Sequence, residues 1–179
     1  MEPPGLKSGV PRGGILERLL SILALKGKDF GRESINHNSG HMRKRTKARE
    51  FTLQVLYQMD ITGDDYVLSL DNFWKEHEQE NIEQDVKSFT TELVKGVADN
   101  LEAINKEIIR YATNWELKRI AAVDRNVLRL SCYELIFRDD IPAKVSINEA
   151  IELAKKYSSP EAGKFVNGIL DKVKLEKNK

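Results

Sequence analysis

From Met42 to the C-terminal lysines, apolar residues recur every three to four positions almost without pause, and no sustained period-two alternation is bounded by hairpin turns. That period predicts an all-α fold of about seven helices. The first helix is expected over Thr46–Met59, where Phe51, Val55 and Met59 are spaced by four and Leu53 and Leu56 fill the same side. Asp60–Asp65, which contains Gly63, closes it. Further helices are expected over Tyr66–His77, from Gln84 with Val86, Phe89, Leu93 and Val97, and from Leu101 with Ile104, Ile108 and Tyr111. The polar stretch Tyr111–Trp115 predicts a boundary between two helical subdomains, about 42–113 and 114–176.

Two adjoining apolar stripes run through Leu117–Asp139, one of Ile120, Val123, Val127 and Leu130, the other of Leu128, Cys132 and Leu135. A helix apolar on two faces belongs at the centre of a core. Pro142 ends it, because proline cannot continue a helix and restricts the residue before it. Ser146 and Glu149 have the S-x-x-E spacing of a capping box and predict a helix start. Ser159 followed by Pro160 predicts the start of the last helix, with Val166, Ile169, Leu170 and Val173 on its apolar side.

Residues 1–41 have a different character, with Pro3, Pro4, Pro11 and most of the glycines, and end in the polar run Ser34–Gly40. Ile15, Leu16, Leu19, Leu20, Ile22 and Leu23 follow a helical period, but an isolated helix of about a dozen residues is marginal in water. The segment reads as an upstream extension, with Met42 as the functional start. Its apolar run is too short to span a bilayer and lacks an Ala-x-Ala cleavage pattern, so the expected compartment is the cytoplasm. The single cysteine, Cys132, reads as a small buried hydrophobe, and His37, His41 and His77 have no metal-site spacing. No metal or cofactor is expected. Phosphate loops, serine elbows and Cys-His couples are absent from the sequence, and the chain does not read as an enzyme.

The 29 basic residues nearly cancel the 28 acidic ones, so placement matters more than the net charge of +1. Arg43, Lys44, Arg45, Lys47 and Arg49 put five cations within seven residues at the expected start of the first helix, where the macrodipole prefers anions. A polyanion is their natural partner, and neutralising the phosphates of a single-stranded nucleic acid with five cations would give a salt slope of about −3.5. A solvated positive start is the alternative on composition alone. Far along the chain Lys164 and Phe165 open the final helix. Phe165 reads as core from its i+4 spacing to Ile169, and an exposed position would make it a stacking face for a base.

Four blocks of sequence resemble the NusB family: R-K-R-T-K-A-R-E-F-T-L-Q-V-L-Y-Q (Arg43–Gln58), V-D-R-N-V-L-R-L-S-C-Y-E-L (Val123–Leu135), I-P-A-K-V-S-I-N-E-A-I-E-L-A-K-K-Y (Ile141–Tyr157) and K-F-V-N-G-I-L-D-K (Lys164–Lys172). The resemblance covers about residues 42–174. It implies two helical subdomains, a ribosomal protein acting as NusE for partner, and binding of single-stranded boxA-type RNA in an RNA polymerase antitermination complex, notably on ribosomal RNA operons. By the same resemblance the RNA surface comprises Arg43, Arg45, Lys47, Arg49, Tyr57, Arg129, Lys164 and Phe165, while Asp124 and Glu161 fall at partner-contacting or regulatory positions. Phe165 thereby moves from core to base contact. Competing readings are a NusB-like module of an RNA cytosine methyltransferase, and an interaction scaffold or homodimer that covers its own basic surface.

Overall fold

The computed structural model describes residues 37–112 and 116–177. The helix expected within Ile15–Leu23 and residues 113–115 of the expected subdomain boundary lie outside them. Among the described residues there are seven α-helices and one 3-10 turn: α1 (His37–Thr62), α2 (Tyr66–Glu76), α3 (Gln84–Asp99), α4 (Leu101–Tyr111), the turn Leu117–Arg119, α5 (Ala122–Phe137), α6 (Ala143–Tyr157) and α7 (Pro160–Lys177). None of the described helices is long and apolar enough to cross a membrane.

Two helices are enclosed on nearly every side. In α1, every residue from Phe51 to Gln58 is buried, the polar Thr52, Gln54 and Gln58 included. Thr52 satisfies its hydroxyl by donating to the Ala48 carbonyl at 2.8 Å, and Thr90 of α3 donates to the same carbonyl at 3.3 Å. In α5, Asn126–Leu135 are buried without interruption, as its two apolar stripes require, and this helix packs against α1, α3, α4, α6 and α7. Cys132 is fully buried within it, and loss of hydration pushes its thiol up to about 12. Such a thiol is an inert core group.

Glycines set two local geometries. Gly63, at φ 75, ends α1 in the left-handed region and donates its N–H to the Met59 carbonyl at 2.9 Å. Gly96 lets α3 approach α5, because a Cβ there would sit 2.0 Å from Cζ of Tyr133.

Three boundaries differ from the sequence reading. α1 begins at His37, so the basic cluster lies beyond the first turn and the macrodipole penalty, which fades within that turn, is smaller than expected. His37 and His41, read from the sequence as part of the upstream extension, belong to this helix. The stretch expected as one helix over Leu117–Asp139 is broken at Ile120–Ala121, where Arg125 reaches back to the carbonyls of Leu117 and Ile120 at 3.1 and 2.8 Å. The Ser146/Glu149 capping box does not form: α6 starts at Ala143 after Pro142, and Ser146 Oγ is buried without a hydrogen-bond partner among the described residues. Ser159, by contrast, accepts from the Ala162 N–H at 3.2 Å and opens α7 as its spacing predicts.

Candidate nucleic-acid interface

Residues three and four apart share a helix face, and this divides the cations of α1 into two sets. Arg43, Lys44 and Lys47 line a groove of about 510 Å³ between α1 and the connection from α2 to α3, with Phe51 also in its wall. The Lys47 ammonium lies 4.4 Å from the centre of the Phe51 ring, a cation–π contact that keeps the charge at the surface. Phe51 is itself held edge-on by Phe73 and Trp74 of α2, at 5.4 and 5.9 Å. Lys44 pairs with Glu83 and, at 3.0 Å, with Asp85. Donating hydrogen bonds to Glu83 and then Asp85 raises the Lys44 pKa, and accepting from Lys44 lowers that of Asp85.

The second set faces α3, α5 and α6. Arg45 stacks its guanidinium 4.4 Å above the Phe89 ring and lies 3.9 Å from Asp140. Arg49 turns inward: it is 3% exposed, its Nε donates to Glu134 at 2.8 Å, and Nη1 is 3.7 Å from Glu149. Thr46 donates to Glu149 at 3.0 Å, and one helical turn on, Glu50 accepts from Lys156 at 2.5 Å. Burial raises the Glu149 pKa, partly opposed by Arg49 and Thr46. Burial, reinforced by Glu50, likewise raises that of Tyr157. One side of the basic segment is thereby fastened to α5 and α6, and the other lines the groove.

Three of the residues expected on the RNA surface are buried in the free protein. Arg49 is one. Tyr57 is 6% exposed, and burial followed by the nearby Asp60 charge raises its phenol pKa. Arg129, 8% exposed, donates to Asp60 at 2.8 Å, to Asn105 at 3.0 Å and to Asn126 at 3.0 Å. Asp60 also accepts from Arg125 at 2.6 and 3.0 Å and from Asn126 at 3.1 Å, so one carboxylate at the end of α1 gathers the start of α5. Burial alone would raise the Asp60 pKa, but the Arg129 and Arg125 hydrogen bonds outweigh it and the net shift is downward.

The remaining expected residues reach solvent to differing degrees. Arg43, Lys47, Lys164 and Glu161 are exposed, and Arg45 and Phe165 are half-buried. Lys164, Phe165 and Glu161 lie in the first half of α7, which packs on α6 with Gly163 facing the Lys155 side chain, 3.0 Å from where a Cβ would sit. Asp124, in the first turn of α5, is half-buried, and burial raises its pKa against an opposing hydrogen bond from Ser158 at the end of α6. The sequence reading missed Glu134, Glu149, Glu50 and Asp60 as organisers of this surface. Glu134 alone carried a signal, being an acid inside the otherwise apolar run that ends α5.

The profile of the NusB family matches residues 46–174. This chain belongs to the NusB family. A transcription antitermination protein NusB from Anaeromyxobacter sp. (strain Fw109-5) is 52% identical over 130 residues, which span 73% of this chain and 89% of that protein. The structure of T. maritima NusB superposes with a TM-score of 0.67 at 39% identity, over 74% of this chain and 91% of that one. A crystal structure of the antitermination factors NusB and NusE in complex with dsRNA gives 0.68 at 30% identity, over 75% of this chain and 98% of that one. The NusB match begins at Thr46, inside α1, and ends at Lys174, inside α7.

Proposed function

We propose that this chain is a transcription antitermination factor that binds single-stranded boxA-type RNA together with a ribosomal protein acting as NusE, and so promotes RNA polymerase read-through in ribosomal RNA operons. The observation that carries this reading is the outward row of cations on α1 in a chain of the NusB family. Arg43, Arg45 and Lys47 supply backbone charge, and Lys164 with Phe165 supplies a second contact, Phe165 through its half-exposed ring. Arg49 and Arg129 also tie α1 to α5, through Glu134 and Asp60. Asp124 and Glu161 are the candidate partner contacts. A second RNA-contacting protein would raise affinity through effective concentration.

The test is a titration of boxA-type RNA, its scrambled counterpart and its duplex, with and without the ribosomal partner, at two salt concentrations. The expected result is preference for the single-stranded boxA sequence, strengthened by the partner and lost with salt, and Phe165→Ala should weaken that binding while leaving the far-ultraviolet circular dichroism unchanged. Equal affinity for the boxA and scrambled strands, or tighter binding of the duplex, would overturn the reading.

A further inference from the structure

Lys44 is held differently from its neighbours on α1. Its ammonium is shared by Glu83 and Asp85, which the α2–α3 connection and the first turn of α3 bring across the groove. Asp85 is fixed in orientation, because its other oxygen accepts from the Val86 N–H at 3.0 Å. All three side chains are substantially exposed, 35% for Lys44, 60% for Glu83 and 50% for Asp85, so the pairs are open to water and exchange readily with other anions. Arg43 and Lys47 line the same groove. A phosphodiester oxygen and a carboxylate oxygen are equivalent acceptors for an ammonium group. The two carboxylates thus stand where phosphate oxygens would lie if a strand ran along this face of α1. The raised Lys44 pKa and lowered Asp85 pKa accord with that charge pairing.

We propose that Lys44, in the wall of the groove between α1 and the α2–α3 connection, is a further subsite for one backbone phosphate of RNA, and that in the free protein Glu83 and Asp85 hold it as internal substitutes for that phosphate. The inference rests on the RNA-binding reading above. It makes binding at this subsite an exchange of one set of ion pairs for another, so a strand already held along α1 gains it more readily than a stray polyanion does.

The test compares Glu83→Gln/Asp85→Asn with the unaltered protein in boxA-type RNA titrations across a series of salt concentrations. Relieved of its internal competitors, Lys44 should engage RNA fully, giving tighter binding of about 2- to 30-fold, the range expected when two exposed pairs no longer have to be broken. The salt slope should steepen by about 0.7, the increment for one added phosphate on a single strand. Adding Lys44→Gln to the double variant should abolish both gains. Glu102→Gln/Glu116→Gln makes the same change in net charge at exposed residues that do not line the groove, and should produce little of either effect. Because Asp85 also bonds the start of α3, Glu83→Gln alone provides a milder variant and should move both quantities in the same direction by less. An unchanged slope, or a gain matched by the Glu102/Glu116 pair, would overturn the subsite. An unaltered protein that does not distinguish boxA from scrambled RNA would overturn the RNA reading instead.

Discussion

Replacing Arg49 separates its structural role from direct RNA contact. Its guanidinium and the Glu134 carboxylate are 3% and 1% exposed and lie 2.8 Å apart, so Arg49→Ala leaves a buried carboxylate without its principal cation. Breaking a buried pair from one side costs about 3–5 kcal/mol. At about 2–4 °C per kcal/mol for a domain near this size, Tm should fall by about 6–20 °C. Removing both charges is different in kind: Arg49→Met/Glu134→Leu abolishes the desolvation penalty together with the attraction, and should fall within about 2 kcal/mol of the original or exceed it. Urea unfolding followed by circular dichroism gives the stabilities, and RNA titration across salt on the double variant gives the function. If Arg49 acts only by seating α1, the double variant keeps its salt slope. A slope shallower by about 0.7 would mean that Arg49 leaves its interior partner to neutralise a phosphate, and an Arg49→Ala loss under about 1 kcal/mol would refute the buried-pair argument itself.

Gly96→Ala should destabilise the protein by about 1–3 kcal/mol through overpacking, because its new methyl would lie 2.0 Å from the Tyr133 ring; adding Tyr133→Leu should recover part of the loss in the same urea unfolding assay, and full additivity of the two changes would contradict this. Asp60 has a pKa depressed below the ordinary 3.8, so the stability it contributes is fully present above that value and is lost as pH falls through its lower folded value. Asp60→Asn should cost about 3 kcal/mol at neutral pH, the low end for stripping one partner from buried cations. The difference should narrow below about pH 4 in a pH series of thermal melts, and a gap independent of pH would count against the assignment.

Most helix boundaries were legible because each depends on local chemistry. Asp65 accepts from the Val67 and Leu68 N–H groups to start α2, and Ser159 with Pro160 starts α7. The apolar stripes of α5 likewise named the central helix, since burial on two faces is written in a one-dimensional period. What the sequence concealed was long-range polar pairing. Glu149 has the spacing of a capping residue, yet its oxygens serve Thr46 and Arg49 of α1, more than a turn away from any cap and about a hundred residues back along the chain. Arg49 reads like its basic neighbours because nothing local distinguishes a cation that faces water from one that faces Glu134. The same limit applies to Lys44, whose carboxylate partners arrive from the far side of α2. Phe165 shows a different difficulty: helical spacing assigns it to the core and family resemblance assigns it to a base, while its ring is half-buried.

The fastening of α1 to α5 and α6 also sets an order of events during synthesis. Arg49 finds Glu134 across 85 residues of chain, Thr46 finds Glu149 across 103, and Glu50 finds Lys156 across 106. At ribosomal speeds of about 5–20 residues per second, the basic segment precedes its last fastening partner by about 5–20 s. Throughout that interval Arg49 is one more solvated cation on a nascent chain, and the groove-facing and inward-facing sets have no framework to divide them. Closing such long loops is the slow step for contacts of this span. The cationic surface thus acquires its final shape only when the C-terminal helices dock, and a chain cut short before α6 carries the basic charge of α1 without its arrangement.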